Sequence, residues 1–152
     1  MPIKDYNTIF VSLDGTEAQT PIFEKAVRAA IHSHAALILG HVVDMSKYDL
    51  ASVYDATLIS QVVDYAREEM EELAIAAREA GVEDVTVEVR YGSVRQTLVD
   101  ELVKPLAPDL VVCGDRGLNR VQYILVGSVS SYLIHNVECD VLVVKDEVEV
   151  IE

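Results

Sequence analysis

Covalent staples are all but missing from this chain. Two cysteines among 152 residues, Cys113 and Cys139, make no disulfide framework, and Cys113 lies inside the apolar run DLVVCG, where a thiol acts as a small hydrophobe. A reducing compartment follows, and a cytoplasmic location is expected. Long hydrophobic runs are missing too: none approaches the ~20 residues that a membrane helix needs, and the amino terminus MPIKDYNTIFVSLDG lacks a basic region leading into an apolar core. No membrane partner is expected. Positive charge is scarce, with 12 Lys and Arg against 26 Asp and Glu, a net charge of −14. The overall field therefore repels DNA, RNA and anionic membranes. A single small anion remains possible, if backbone N–H groups, a helix terminus and a divalent cation hold it.

Several catalytic signatures are absent as well. There is no GxxxxGK[ST] phosphate loop, so the lysine that usually offsets γ-phosphate charge is missing, and neither a serine elbow nor a pair of carboxylates appears. Only seven glycines occur, yet three of them, Gly114, Gly117 and Gly127, fall within Val111 to Leu133, VVCGDRGLNRVQYILVGSVSSYL. Each glycine costs backbone entropy, so that concentration calls for a reason.

Hydrophobic residues make up 51% of the chain, enough for one domain spanning residues 1–152, burying roughly 70% of its unfolded surface. The pattern alternates between periods of two and 3.6. A strand is expected from Thr8 to Leu13, then a helix with Ile22, Phe23, Ala26, Val27 and Ala30 on one face. Its start stays open between Thr16, where Thr16 and Gln19 resemble a capping box, and Thr20 before Pro21. AALILGHVVD, Ala35 to Asp44, is a second strand, apolar enough to be covered on both faces. MSKYDLASVYDATLIS has no firm period; Met45, Tyr48 and Tyr54 there fit loop packing or a lid. From Gln61 the helical period returns and Gly81 ends it.

DVTVEVRY alternates strictly and marks a strand with one wet face at a sheet edge. Ser93 and Gln96 read as a capping box for a third helix, which runs to about Lys104 before Pro105 and Pro108. DLVVCG, GSVSSYLIHN and CDVLVVK complete the chain as strand, helix and strand. Five strands alternating with four helices predict an α/β fold, an open five-stranded parallel sheet with helices on both faces, for which the order 3-2-1-4-5 is taken. Ligands of such sheets lie beyond the carboxyl ends of the strands, where strand order reverses. That places the expected site between the loops LDGTEA and GDRG. Gly114 and Gly117 would let the backbone approach a ligand, and Gly127 with Ser128 would offer free amides at a helix start, a ready site for phosphate.

GDRGLNRVQYILVGS fits the G-x2-G-x9-G-[S/T] pattern of the ATP-binding branch of the universal stress protein family, which this sequence resembles over nearly its whole length. VSLDGT resembles that family's first strand end, HVVD its second and CDVLVVK its last. The resemblance implies a Rossmann-like domain that binds ATP, or ADP or AMP, with Mg2+ or Mn2+ held by the phosphates and no metal ligand from the protein. It places Ser12, Leu13 and Asp14 beside the nucleoside, Asp14 on the ribose hydroxyls, and Val42 against adenine through its backbone. Cys113, Gly114, Arg116 and Gly117 would line the ribose and phosphates, and Gly127, Ser128, Val129 and Ser130 would hold the β- and γ-phosphates. Asp115 stands where many relatives have serine, so it must point away or face a cation; Arg116 and Arg120 are candidates to offset it, or are solvent-facing charges.

Bland alternatives stand beside these roles. Asp14 in DGTE also suits an Asx turn; His41 and His135 sit in apolar surroundings that fit packing or capping, and His32 and His34 have no ligand partners near them in sequence. No catalytic residue is assigned, and hydrolysis is expected to be absent or slow. The leading expectation is an adenine-nucleotide-dependent stress sensor or regulator. A nucleotide-free dimeric interaction module is the alternative. A receiver-like phospho-switch using Asp14 and Lys145 ranks last, since the chain reads RYGS after the third strand, without a phosphoacceptor. The apolar last strand is expected to pair with its own copy in a homodimer.

Overall fold

The computed structural model describes residues 5–47, 56–115 and 129–145. Five strands, β1 (Thr8–Leu13), β2 (Ala36–Asp44), β3 (Val85–Gly92), β4 (Leu110–Gly114) and β5 (Asp140–Val144), form one parallel sheet, as the alternating pattern predicts, in the expected order β3-β2-β1-β4-β5. Helices α1 (Thr20–Ser33) and α2 (Ala56–Ala80) carry the chain from β1 to β2 and from β2 to β3. Helix α3, residues 94–106, returns it to β4, and α4 (Val129–Asn136) precedes β5.

Alternation along each strand divides the core in two. Ile9, Val11 and Leu13 of β1 pack with Leu37, Leu39 and Val43 of β2 under Ala26 and Ala30 of α1 and Met70, Ala74 and Ala77 of α2. On the opposite face Phe10, Ile38, Val42, Val111 and Cys113 meet Leu98, Val99 and Leu102 of α3 and Leu133 of α4. Small residues on α1 and α2 bring those helices close to the sheet, while leucines fill the α3 side. Strand β3 is an edge strand, with Val85 and Val89 buried and Thr86 and Tyr91 exposed. At the amino ends of the central strands the Asp109 carboxylate accepts from the Asn7 and Thr8 amides, both at 2.8 Å, fixing β4 against β1 far from the expected site.

Helix α2 begins at Ala56, five residues before the point where its apolar stripe becomes regular. Thr57, Ser60 and Gln61 are exposed, so a first turn that buries little leaves a weak periodic trace. The two expected capping boxes do not form. Thr16 starts a 3-10 turn, Glu17–Gln19, without a side-chain cap bond: the Gln19 amide donates to the Thr16 backbone carbonyl at 3.1 Å, and the Thr16 hydroxyl donates to Asp14 Oδ1. Ser93 likewise makes no side-chain cap bond.

Pro105 does not stop α3. Residues Leu98–Val103 are π-helical and the Lys104 N–H donates to the Val99 carbonyl, five residues back. The widened turn just before the proline changes the register of the backbone ladder where a donor is about to be lost. The helix then ends at Ala107, in the left-handed region at φ 49°.

Candidate functional site

The crevice between β1 and β4 is built by strand lengths. These two strands pair from Ile9↔Leu110 to Val11↔Val112, and their carboxyl ends release the chain in opposite directions, toward α1 and toward α4. Strand β2 outruns its neighbour. Its last β1 partner is His41, opposite Leu13, whereas Val42, Val43 and Asp44 continue to pair with Arg90, Tyr91 and Gly92 of β3. The β1-facing edge of residues 42–44 is therefore left unpaired by β1, which is the backbone geometry that could read the edge of a planar base.

The turn after β1 is held by its own side chains. Asp14 Oδ1 accepts from the Thr16 amide at 2.9 Å and from the Thr16 hydroxyl at 2.7 Å, while the Gly15 amide donates to Gln19 Oε1 at 2.9 Å. Asp14 thus forms the Asx turn considered as its structural role, and it remains exposed, with a second carboxylate oxygen for a ligand. Gly15 has φ 81°, which only glycine adopts at no steric cost. Asp44 makes the same turn at the end of β2, accepting from the Ser46 amide at 3.0 Å and hydroxyl at 2.6 Å.

Of the twelve residues singled out in the sequence, eight lie in described parts. Ser12 is half-buried and faces the α3 side, and Leu13, Val42 and Cys113 bury their side chains, so at the crevice they contribute backbone atoms. Burial, reinforced by Asp115, pushes the Cys113 thiol up to about 11, so it stays a neutral apolar group at physiological pH. Gly114 ends β4, and with Asp115 it lines a recess completed by Ala18, Pro21, Ile22, Val144 and Lys145. The Asp115 amide donates to the Val144 carbonyl at 3.1 Å, tying the exit of β4 to the end of β5. Val129 and the buried Ser130 open α4. Arg116, Gly117, Gly127 and Ser128 lie outside the described residues, as do Arg120, Tyr48 and Tyr54.

His41 was read from sequence as packing or capping, and it does cap, but not a helix. Its Nδ1–H donates to the Leu13 carbonyl at 2.8 Å, an oxygen that can only accept. The signal lay in register: a polar residue one position before Val42, opposite the last residue of β1. Met45 packs against the α1–α2 core, and His135 Nδ1 bonds the Ser131 carbonyl at 2.7 Å one turn back in its own helix.

The comparisons with known proteins agree with this architecture. The sequence profile of the universal stress protein family matches residues 5–145. A Staphylococcus haemolyticus protein named as a universal stress protein is 33% identical over 142 residues, covering 93% of this chain and 86% of the relative. UspA of Lactobacillus plantarum superposes with a TM-score of 0.78 at 28% identity, covering 93% of this chain and 99% of that one. A universal stress protein crystallised in complex with cAMP superposes at 0.67 with 27% identity, covering 93% and 98%. A parallel sheet that changes direction between its first and fourth strands, with a polar turn at that point, defines a doubly wound α/β protein. This chain belongs to the universal stress protein family.

Proposed function

We propose that the protein is a single-domain, cytoplasmic adenine-nucleotide-binding stress regulator, with little or no hydrolysis. The observation that carries this reading is the crevice itself, where the preformed Leu13–Thr16 turn, the unpaired edge of β2 beyond His41 and the exit of β4 at Gly114 converge. The family member crystallised with cAMP supports an adenine nucleotide as ligand. In this reading Asp14 receives the ribose hydroxyls, the backbone of Val42 reads adenine, and Ser12, Leu13, Cys113 and Gly114 supply walls. Gly114, Arg116 and Gly117 line the ribose and phosphates, and Gly127, Ser128, Val129 and Ser130 offer amides and hydroxyls to the β- and γ-phosphates. Charge-assisted bonds from several amides can replace one lysine.

Mg2+ or Mn2+ would be carried on the phosphates in this reading, without protein side chains as ligands. The ion would supply charge neutralisation beside Asp14 and Asp115. The sequence carries no phosphate-loop lysine, serine elbow or paired carboxylates, and this favours a sensor over a hydrolase. Calorimetric titration with ATP and Mg2+ tests the reading. Saturable heat at micromolar to high-micromolar nucleotide is expected; no heat at that concentration would leave an interaction module of the same fold.

The same reading includes a homodimer through β5. Strand β5 pairs with β4 on one side only, and among the described residues nothing covers its outer edge. Leu142 on it is 37% exposed, whereas Val143 packs against the α3–α4 core. Leu142→Lys is therefore expected to halve the mass seen by light scattering without unfolding the chain. A variant that keeps the wild-type dimer mass contradicts that interface, and a monomeric wild type contradicts the dimer.

A further inference from the structure

We infer that His41 is the positioning residue of this site: its imidazole ties the Asp14 turn to the sheet and so sets the nucleotide-binding surface in advance of the ligand. The inference rests on the nucleotide reading above. Besides the bond from the Gln19 amide to the Thr16 carbonyl at 3.1 Å, three sets of contacts hold the turn, and two of them are local to it. Thr16 bonds Asp14, two residues away, and Gln19 bonds Gly15, four residues away. Contacts of that kind preserve the turn's shape and leave its direction from the sheet unfixed. The bond from His41 comes from a different strand, 28 residues on, and grips the Leu13 carbonyl at 2.8 Å, immediately before Asp14.

The ring also lies under the turn. A Cβ built on Gly15 would approach His41 Cε1 to 3.4 Å and Nε2 to 3.8 Å, so the imidazole forms the floor on which the φ 81° glycine rests. Because the carbonyl accepts, Nδ1 carries the hydrogen, and in the neutral ring Nε2 is an acceptor on the side facing Gly15. Strand β2 thereby contributes twice to one ligand surface: through the edge of residues 42–44, and through a side chain that fixes the neighbouring β1 turn at a set distance from that edge. Preorganisation of this kind raises affinity by lowering the ordering cost of binding.

The test compares His41→Leu, which fills the space without a donor, with His41→Asn, whose amide can donate to the Leu13 carbonyl. ATP–Mg2+ affinity is expected to fall about 5- to 10-fold in the leucine variant, the equivalent of one hydrogen bond. The asparagine variant should recover to within about 3-fold of wild type. In the free protein, Gly15 and Thr16 amide exchange should accelerate in the leucine variant and return toward wild type with asparagine. Equal affinity and exchange in all three proteins, or equal loss in both variants, overturns the inference. If wild type binds no ATP, the nucleotide reading fails, and the exchange contrast between the variants still decides whether His41 positions the turn.

Discussion

Gly40→Val should be the most damaging single substitution in the sheet, lowering stability by about 3 kcal/mol or more. Gly40 lies opposite Ser12 in the β1–β2 register and opposite Glu88 in the β2–β3 register, so its backbone is fixed on both sides. Phe10, fully buried on the same face, puts the tip of its ring against the glycine, and a Cβ built there would collide with its Cζ and Cε2. Relief would require Phe10 to leave its rotamer, where it packs in one core with Leu98, Val111, Cys113 and Leu133. Urea unfolding measures the effect: the midpoint should drop with little change in slope. Gly40→Ala should cost about 1–3 kcal/mol, and part of that should return when combined with Phe10→Leu, because the two sites share one volume. A valine variant within about 0.5 kcal/mol of wild type would refute this packing.

The second large effect concerns ligand binding. Asp14→Ala should weaken ATP about 10- to 100-fold, since in the proposed site it removes a charged acceptor for the ribose hydroxyls, and it releases the Thr16 amide that shapes the turn. Asp14→Asn separates these contributions. Its carbonyl can still accept from Thr16, so the turn should persist while the charge is lost, and its affinity should fall between those of wild type and alanine. The discrimination between ATP and 2′-deoxy-ATP should shrink in both variants. Unchanged binding in Asp14→Ala would leave the carboxylate only its structural turn.

Much of the architecture was legible because burial on two faces imposes it on the sequence. Strands β1, β2 and β4 are apolar runs bounded by polar turns, and β3 advertises its edge position by alternation, whereas β5 is equally apolar but buries no residue fully. Counting crossovers gives parallel strands, whereas the order 3-2-1-4-5 is assumed for this class of sheet and is the order observed. Local detail was less legible. The spacing of Thr16 and Gln19 is that of a capping box, yet Asp14 competes successfully for Thr16, and a sequence pattern cannot rank two acceptors for one donor. The π-helical turn of α3 depends on how the Leu98–Val103 segment meets the sheet, and Pro105 read in isolation pointed to an earlier end.

The positions of Asp14, Gly114 and Val42 at or near the carboxyl ends of β1, β4 and β2 could be read from the sequence, and their contact with a nucleotide is the proposal made above. The role of His41 could not be read. It exists only once Leu13↔His41 becomes a register pair, a relation between segments 28 residues apart. The acidic surroundings were foreseen in the net charge. The structure adds where they fall: Asp14, Asp44 and Asp115 stand at or just after the carboxyl ends of β1, β2 and β4, with Lys145 directly after β5. A polyphosphate entering there would be met by backbone amides and its own cation rather than by a field of positive side chains.

Amide shift mapping with ATP and Mg2+ on isotopically labelled protein is the most direct check on whether main-chain donors at the mouth between β1 and β4 hold the phosphates. The largest changes should fall on residues 12–15, on Gly114 and on residues 127–130, and the changes at 127–130 should vanish when adenosine replaces ATP. An undisturbed spectrum, or changes confined to the outer face of α2, would contradict that assignment.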